Sequence, residues 1–176
     1  MLVIDDHHHL PQYCYDVILN QNIGAVTLDY SCAFEKYRLM GPRYILLRKE
    51  FLNHSGYKDT TKETIRNVLI TLGGADLENA TLTVLKGLKF LRLRNIHVKL
   101  VVGPANLNLA ELESVLNRSP IDYEIVRSPN DMAGLMSWAD VAISAAGSTC
   151  WELAYLGLPA LVIIMAENQA PIANGL

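Results

Sequence analysis

The sequence predicts an α/β protein in which a parallel sheet carries helices on both faces. Short apolar runs of strand type alternate with helical stretches over the last two-thirds of the chain. Runs such as residues 67–72 (NVLITL) have the composition of buried strands, and helices on both faces would bury such a sheet. Crossovers between parallel strands are right-handed, and ligands collect beyond the carboxyl ends of the strands.

The predicted elements alternate without interruption from residue 67 onward. Strands are expected at residues 67–72, 96–102, 122–127, 140–144 and 160–164. Helices are expected at residues 78–91, 108–117 and 130–139, and further helices begin near residues 149 and 168. The first helix is supported by Leu82, Leu85 and Leu88, which recur at three-residue spacing. The first third is less regular, with short strand candidates at residues 2–4, 16–19, 25–28 and 43–48.

A polar segment at residues 51–64 (FLNHSGYKDTTKET) contains Gly and several Thr and Lys residues, a composition typical of linkers. It predicts a boundary between residues 1–50 and residues 65–176. The chain stops at Leu176 just after a helix has begun, and both ends look cut. We therefore expect a piece of a longer protein, with an incomplete domain on each side of the linker.

Composition excludes several classes of function. The net charge of −3 does not provide the excess of positive charge that binding to nucleic acid requires. The cysteines, at positions 14, 32 and 150, are odd in number and form no close pair, which favours a reducing cytoplasm over a disulfide framework or a zinc knuckle. The longest apolar run, residues 160–166, is too short to span a bilayer, and the N-terminus lacks the pattern of a signal peptide.

The turn Gly73-Gly74-Ala75-Asp76 follows the first strand of the regular region. Two glycines allow the backbone to approach a bulky anion, and a following helix offers free N–H groups. The alternative is a tight strand-to-helix turn with Asp76 near the N-cap. The turn is not GxGxxG, and no acidic residue ends the next strand, which argues against an ordinary NAD site.

The turn after residues 122–127 contains Ser128-Pro129-Asn130-Asp131. Its exposed backbone could hydrogen-bond the edge of a flat base. The alternative is that Asn130 or Asp131 simply caps a short helix.

The segment Gly147-Ser148-Thr149 opens a helix that carries Glu152 in its first turn. Thr149 and Glu152 fit the capping box T-x-x-E. In this motif the Thr149 side chain accepts a hydrogen bond from a backbone N–H of the first turn, and the Glu152 side chain accepts one from the backbone N–H of Thr149. Gly157 then ends the helix and Pro159 prevents its continuation. The same residues could instead bind a diphosphate at the turn and two vicinal hydroxyls at the carboxylate.

Two polar groups remain. Asn168 and Gln169 follow the last strand, where neutral amides suit sugar hydroxyls or phosphate oxygens, and Asn168 could equally cap a helix. The tract His7-His8-His9 resembles a metal site, but neighbouring residues on an extended chain point to opposite sides and no acidic or Cys partner follows at ligand spacing. We expect no bound metal and no cofactor.

Taken together, these segments resemble a known family. The stretches DVILNQN, GPRYILLRKEF, VLITLGGAD and the long run from Asp131 to Gln169 are similar to UDP-sugar hydrolases of pseudaminic acid synthesis and to spore-coat polysaccharide biosynthesis proteins. More distantly, the run around Gly147 is similar to the peptidoglycan transferase that uses UDP-N-acetylglucosamine. The resemblance implies a GT-B fold with two Rossmann-like domains: residues 1–50 would be the tail of the N-terminal domain, and residues 65–176 the UDP-sugar-binding C-terminal domain.

The resemblance also implies which residues contact UDP. Gly73, Gly74 and Asp76 match a loop near the phosphates and sugar, and the backbone at Arg127 and Ser128 matches the uracil contact, with Met132 close by. The other matching residues cover the diphosphate turn (Gly147, Ser148, Thr149), the ribose contact (Glu152) and the amides near the diphosphate and sugar (Asn168, Gln169).

One departure from the family pattern matters for activity. The family carries a catalytic His on a glycine-rich loop of the N-terminal domain, and no such segment occurs here. The resemblance therefore implies a cytoplasmic UDP-sugar hydrolase whose N-terminal domain is a missing partner, so that this chain alone is inactive. A UDP-dependent glycosyltransferase and a non-catalytic nucleotide-sugar-binding module are the alternatives.

Overall fold

A computed structural model describes residues 1–31, 36–54, 64–76, 78–90 and 95–176. These residues form two compact units. The first unit contains Met1–Leu47 and Ala166–Leu176, and the second contains Arg48–Met165. Most of the predicted linker, residues 55–63, lies outside the described residues, as does Cys32.

The first unit is built on a parallel sheet of three short strands in the order β1-β2-β3. The strands are β1 (Leu2–Ile4), β2 (Val17–Asn20) and β3 (Tyr37–Met40). Short 3-10 helices lie at Ala25–Thr27, Pro42–Tyr44 and Glu167–Gln169, and the last one leads into helix α5 (Ala170–Gly175). The core consists of three tyrosines, Tyr13, Tyr15 and Tyr30, together with Ile18.

A buried carboxylate organises this core. Asp5 follows β1 and accepts hydrogen bonds from the Tyr30 hydroxyl at 2.5 Å, the Tyr13 hydroxyl at 3.2 Å and the backbone N–H of His8 at 2.9 Å. Burial opposes ionisation of Asp5, but these hydrogen bonds outweigh it and hold the pKa of Asp5 below its usual value. Burial and the neighbouring Asp5 raise the pKa of Tyr30. We call Asp5, Tyr13 and Tyr30 the Asp5 cluster.

Two strand predictions for this unit are wrong. Residues 25–27 form a 3-10 helix because Gly24, at φ +83°, turns the chain, and the Thr27 N–H and hydroxyl both donate to its carbonyl. Residues 43–48 contain no strand, since Gly41 at φ +89° precedes a 3-10 turn there. The third strand is instead Tyr37–Met40, which the apolar pattern did not indicate.

The second unit contains five parallel strands in the order β6-β5-β4-β7-β8. Their bounds are β4 (Asn67–Thr71), β5 (His97–Val102), β6 (Asp122–Arg127), β7 (Val141–Ala145) and β8 (Ala160–Ile163). The connecting helices are α1 (Ala80–Phe90), α2 (Leu109–Leu116), α3 (Met132–Trp138) and α4 (Thr149–Tyr155). A 3-10 helix at Lys49–His54 precedes β4.

The core of the second unit is aliphatic and centres on β4 and β5. Alternate residues of these strands pack with the apolar sides of α1 and α2, including Leu85 and Leu112. Helix α3 contacts β4 as well as the 3-10 helix at Lys49–His54, and α4 contacts β7. The predicted parallel sheet with helices on both faces is confirmed, and the five predicted strands match the observed ones to within a residue or so.

The division into units differs from the predicted domain boundaries at both ends. Residues 48–50 belong to the second unit, and residues 166–176 belong to the first. The assignment of residues 1–50 to an N-terminal domain remains a prediction. Across the part of the chain that the structure describes, no helix combines the length and the apolar character needed to cross a membrane.

Candidate functional site

The strand order of the second unit creates a switch point between β4 and β7. The first strand of the unit, β4, lies at the centre of the sheet, and the chain adds β5 and β6 on one side before returning to add β7 and β8 on the other. Thr71 and Ser144 are paired near the carboxyl ends of β4 and β7. The turns that follow these two strands therefore flank the crevice where doubly wound sheets bind ligands.

The turn after β4 exposes its two glycines and buries its aspartate. Gly73 has φ +92°, a conformation that glycine adopts without strain. Asp76 is buried, and its two oxygens accept hydrogen bonds from the N–H groups of Ala80 at 2.8 Å and Thr81 at 3.1 Å. Asp76 therefore caps the start of α1, and its predicted contact with a ligand remains a prediction.

The turn after β5 lies directly against Gly74. A Cβ added to Gly103 would be 2.3 Å from the carbonyl oxygen of Gly74 and 2.4 Å from its Cα. Only glycine permits this approach of two backbones. The two neighbouring turns are thus in contact, which fixes the position of Gly74.

The turn after β6 contains the predicted base contact. Ser128 has φ +44°, and its N–H donates to the carbonyl of Val102 on the neighbouring strand. Asp131 caps α3 by accepting a hydrogen bond of 2.7 Å from the N–H of Gly134, as one of the alternatives from sequence predicted. The side chain of Arg127 is exposed and Met132 is buried at the start of α3.

The turn after β7 leads into α4 without a side-chain cap. Helical hydrogen bonding begins at Cys150, whose N–H donates to the carbonyl of Gly147, so that the N–H groups of Ser148 and Thr149 lie ahead of it. Ser148 is the N-cap residue, and no side chain caps the helix. At the other end the predicted stop is confirmed, because Gly157 adopts φ +63° and Leu158 donates to the carbonyl of Leu153.

The predicted capping box is wrong. Helix α4 begins one residue earlier than that motif requires, with Thr149 inside the helix and Glu152 beyond the third position. The Glu152 carboxylate turns instead to Arg48. Its Oε1 accepts from Nε of Arg48 at 2.7 Å, and its Oε2 accepts from a terminal guanidinium nitrogen of Arg48 at 3.0 Å.

Arg48 is the residue of this site that the sequence did not predict. A second terminal nitrogen of Arg48 lies 3.1 Å from Oε1 of Glu50, and the guanidinium lies 5.2 Å from the centre of the Phe51 ring. Glu50 in turn accepts from the N–H of Met132 at the start of α3. The hydrogen bond with Glu152 raises the pKa of Arg48 above its already high usual value.

The remaining predicted residues belong to the first unit. Asn168 and Gln169 are in the 3-10 helix of the first unit, and their role remains a prediction. The His8 ring packs against the rings of both Tyr13 and Tyr30, with its Nε2 2.7 Å from the carbonyl oxygen of Asp29. A search of the described residues finds no group of three or more His, Cys, Asp or Glu side chains that could hold a metal ion.

The second unit is thus a doubly wound α/β domain with glycine turns on both sides of its switch point. Its sequence gives a closer identification, since residues 67–174 match the glycosyltransferase family 28 C-terminal domain. That match covers more than half of the chain, so the chain belongs to this family of glycosyltransferase-like enzymes.

Three curated proteins show similarity outside the domain as well. The chain is 32% identical over 136 residues to the spore coat polysaccharide biosynthesis protein SpsG of Bacillus subtilis, covering 76% of the chain and 39% of that protein. It is 31% identical over 166 residues to an uncharacterized protein of Methanocaldococcus jannaschii, covering 88% and 33%. It is 26% identical over 171 residues to the pseudaminic acid cytidylyltransferase and UDP-2,4-diacetamido-2,4,6-trideoxy-beta-L-altropyranose hydrolase of Helicobacter pylori, covering 96% and 30%.

A solved structure supports the fold. The crystal structure of MurG from Acinetobacter baumannii matches with a TM-score of 0.62 at 18% identity, over 99% of this chain and 49% of that one. The parallel sheet with helices on both faces therefore matches the GT-B C-terminal domain of MurG. The family match and the curated relatives confirm the suspected family. The chain spans between 30% and 39% of the length of the curated relatives it matches.

Proposed function

We propose that this chain is the UDP-sugar-binding part of a nucleotide-sugar hydrolase that acts in surface polysaccharide or nonulosonic acid biosynthesis. The observation that carries the proposal is the position of two exposed glycine turns, at Gly73-Gly74 and at Gly147-Ser148, on both sides of the switch point in a family 28 domain. The names of the Bacillus and Helicobacter relatives support the biosynthetic setting.

The turn residues supply the contacts that a diphosphate requires. The N–H groups of Ser148 and Thr149 precede the first hydrogen bond of α4 and are available to anionic oxygens. Gly73 and Gly74 leave the opposite side of the crevice without side chains. Asp76 contributes indirectly in this scheme, because its capping of α1 fixes the turn that contains both glycines.

The nucleoside would bind at the two neighbouring positions. The backbone at Arg127 and Ser128 would receive the uracil edge, and Glu152 would accept hydrogen bonds from the two ribose hydroxyls. In the reaction UDP leaves the anomeric carbon and its diphosphate gains charge. N–H groups aimed at that charge would stabilise the transition state. A residue outside this chain would activate the water.

A glycosyltransferase is the second candidate, and the family 28 match and the MurG fold favour it. Both candidates bind UDP in the same way and differ in the group that attacks the sugar. The experiment that separates them uses the longer parent protein with a UDP-sugar in the presence and absence of candidate acceptors. Release of free sugar without an acceptor supports the hydrolase, whereas UDP release that depends on an acceptor supports the transferase.

The binding proposal is tested on the chain itself by titration calorimetry. We expect heat of binding with UDP, none with NAD or ATP, and no turnover of UDP-sugars. Glu152→Gln should weaken UDP binding by roughly 0.5–2 kcal/mol, since hydrogen bonds to a charged acceptor exceed those to a neutral one by about that amount. Glu113→Gln, which changes an exposed carboxylate on α2, is the matched control and should leave binding unchanged. Binding of NAD or ATP in place of UDP would overturn the proposal.

A further inference from the structure

Arg48 holds Glu152 with the same donor geometry that a vicinal diol presents. Two parallel N–H groups of the guanidinium reach the two carboxylate oxygens, at 2.7 and 3.0 Å. A fork of this kind is the preferred partner of a carboxylate. Two neighbouring hydroxyls on a ribose ring also offer one donor to each oxygen, so the arginine and the diol would use the same acceptor sites.

Burial leaves little space for both partners at once. The side chain of Glu152 is only 13% exposed, whereas that of Arg48 is 48% exposed. Arg48 therefore lies on the solvent side of the carboxylate, where an incoming ligand would approach.

Arg48 also has partners that it can keep when it leaves Glu152. One guanidinium nitrogen is 3.1 Å from Oε1 of Glu50, and the Phe51 ring lies beneath the cation. Glu50 is itself fixed, because it accepts a hydrogen bond from the N–H of Met132. Departure from Glu152 would thus leave the cation paired and partly in water, and its cost is moderate.

We propose that Arg48 occupies the diol-binding position of Glu152 in the free protein and must leave it when a nucleotide with two vicinal hydroxyls binds. The inference rests on the proposed role of Glu152 in UDP binding. Because only molecules with Arg48 displaced are competent, the apparent affinity is lowered by the fraction of such molecules.

The test compares UDP with 2′,3′-dideoxy-UDP by titration calorimetry on the full chain. Arg48→Ala removes the competing group, and Arg48→Lys keeps the positive charge but loses the fork. Both variants should bind UDP roughly twofold to fivefold more tightly, the range that a half-exposed ion pair can supply. Neither should gain affinity for the dideoxy ligand. Arg118→Ala, which removes an exposed arginine after α2, is the charge-matched control and should change neither affinity.

The variants also separate this inference from the proposed function. If UDP binds and Glu152→Gln weakens it, but both Arg48 variants bind UDP equally or more weakly, then displacement of Arg48 is wrong and the UDP site stands. If UDP binding is absent, or if Glu152→Gln leaves it unchanged in a protein that also carries Arg48→Ala, then the proposed site fails and the role of Arg48 fails with it. A melting curve for each variant verifies that the second unit remains folded.

Discussion

Asp5 and Glu152 are both carboxylates with little contact to water, and they are held by different kinds of donor. Asp5 has a 6% exposed side chain and accepts from two tyrosine hydroxyls and backbone N–H groups of its own unit. Glu152 has a 13% exposed side chain and accepts from a single, half-exposed arginine. The first carboxylate is bound mainly by neutral groups, and the second by one long, half-exposed side chain.

This difference separates a structural carboxylate from an exchangeable one. Removing Asp5 would leave the buried hydroxyls of Tyr13 and Tyr30 without this acceptor, at the desolvation cost of each unpaired group. Removing Arg48 from Glu152 returns an exposed cation to solvent at small cost. A ligand can therefore replace the partner of Glu152, whereas the partners of Asp5 belong to the fold.

Replacement of Asp5 should have the largest effect on stability. Asp5→Ala leaves the hydroxyls of Tyr13 and Tyr30 without their acceptor and should lower the free energy of unfolding by roughly 2–4 kcal/mol. Urea denaturation followed by near-ultraviolet circular dichroism of the buried tyrosines measures this loss. Asp6→Ala, at the exposed neighbouring position, is the control and should cost less than about 0.5 kcal/mol. Equal losses for the two variants would show that the Asp5 cluster does not stabilise the fold.

Lowering the pH should progressively remove the contribution of Asp5 to the free energy of unfolding. The pKa of Asp5 is lower in the folded chain than in the unfolded chain, so its contribution is complete above the ordinary carboxyl value near 4 and is lost as the pH falls below it. The stability difference between the natural chain and Asp5→Asn should therefore shrink as the pH falls below about 4. Urea titrations at a series of pH values measure it, and a difference that does not change with pH would contradict the lowered pKa.

Of these interactions, the Arg48–Glu152 pair should contribute least to the free energy of unfolding. Arg48→Ala and Glu152→Gln should each lower the free energy of unfolding by about 1 kcal/mol or less, because Arg48 is half exposed. The double variant should cost less than the sum of the two, since both single changes remove the same interaction. Tryptophan fluorescence monitors this unit, which contains Trp138 and Trp151. Strictly additive losses would mean that the two side chains do not stabilise each other.

The sequence predicted the second unit well because its signals are local. A buried parallel strand is a short run of apolar residues with a turn at each end, as at residues 67–71, and such a run can be recognised without knowledge of its partners. The stop of α4 at Gly157 and the cap of α3 by Asp131 are likewise set by residues a few positions apart.

The parts that the sequence did not predict depend on distant partners. Arg48 and Glu152 are 104 residues apart, and no periodicity connects them. The capping box failed because α4 begins at Thr149 instead of after it, and Glu152 pairs with a distant arginine. Strand β3 (Tyr37–Met40) has no β-branched residue and is defined only by its pairing with β2.

The contact between Gly74 and Gly103 allows the position of the Gly73-Gly74 turn to be changed by a substitution at residue 103. Even the methyl group of alanine at position 103 would overlap the Gly74 backbone, which would have to shift to relieve the overlap. Position 103 is not among the residues predicted to contact a ligand. A graded series of larger side chains there would displace the Gly73-Gly74 turn by increasing amounts and leave the chemical groups of the site untouched, so the precision that the site requires becomes a measurable quantity.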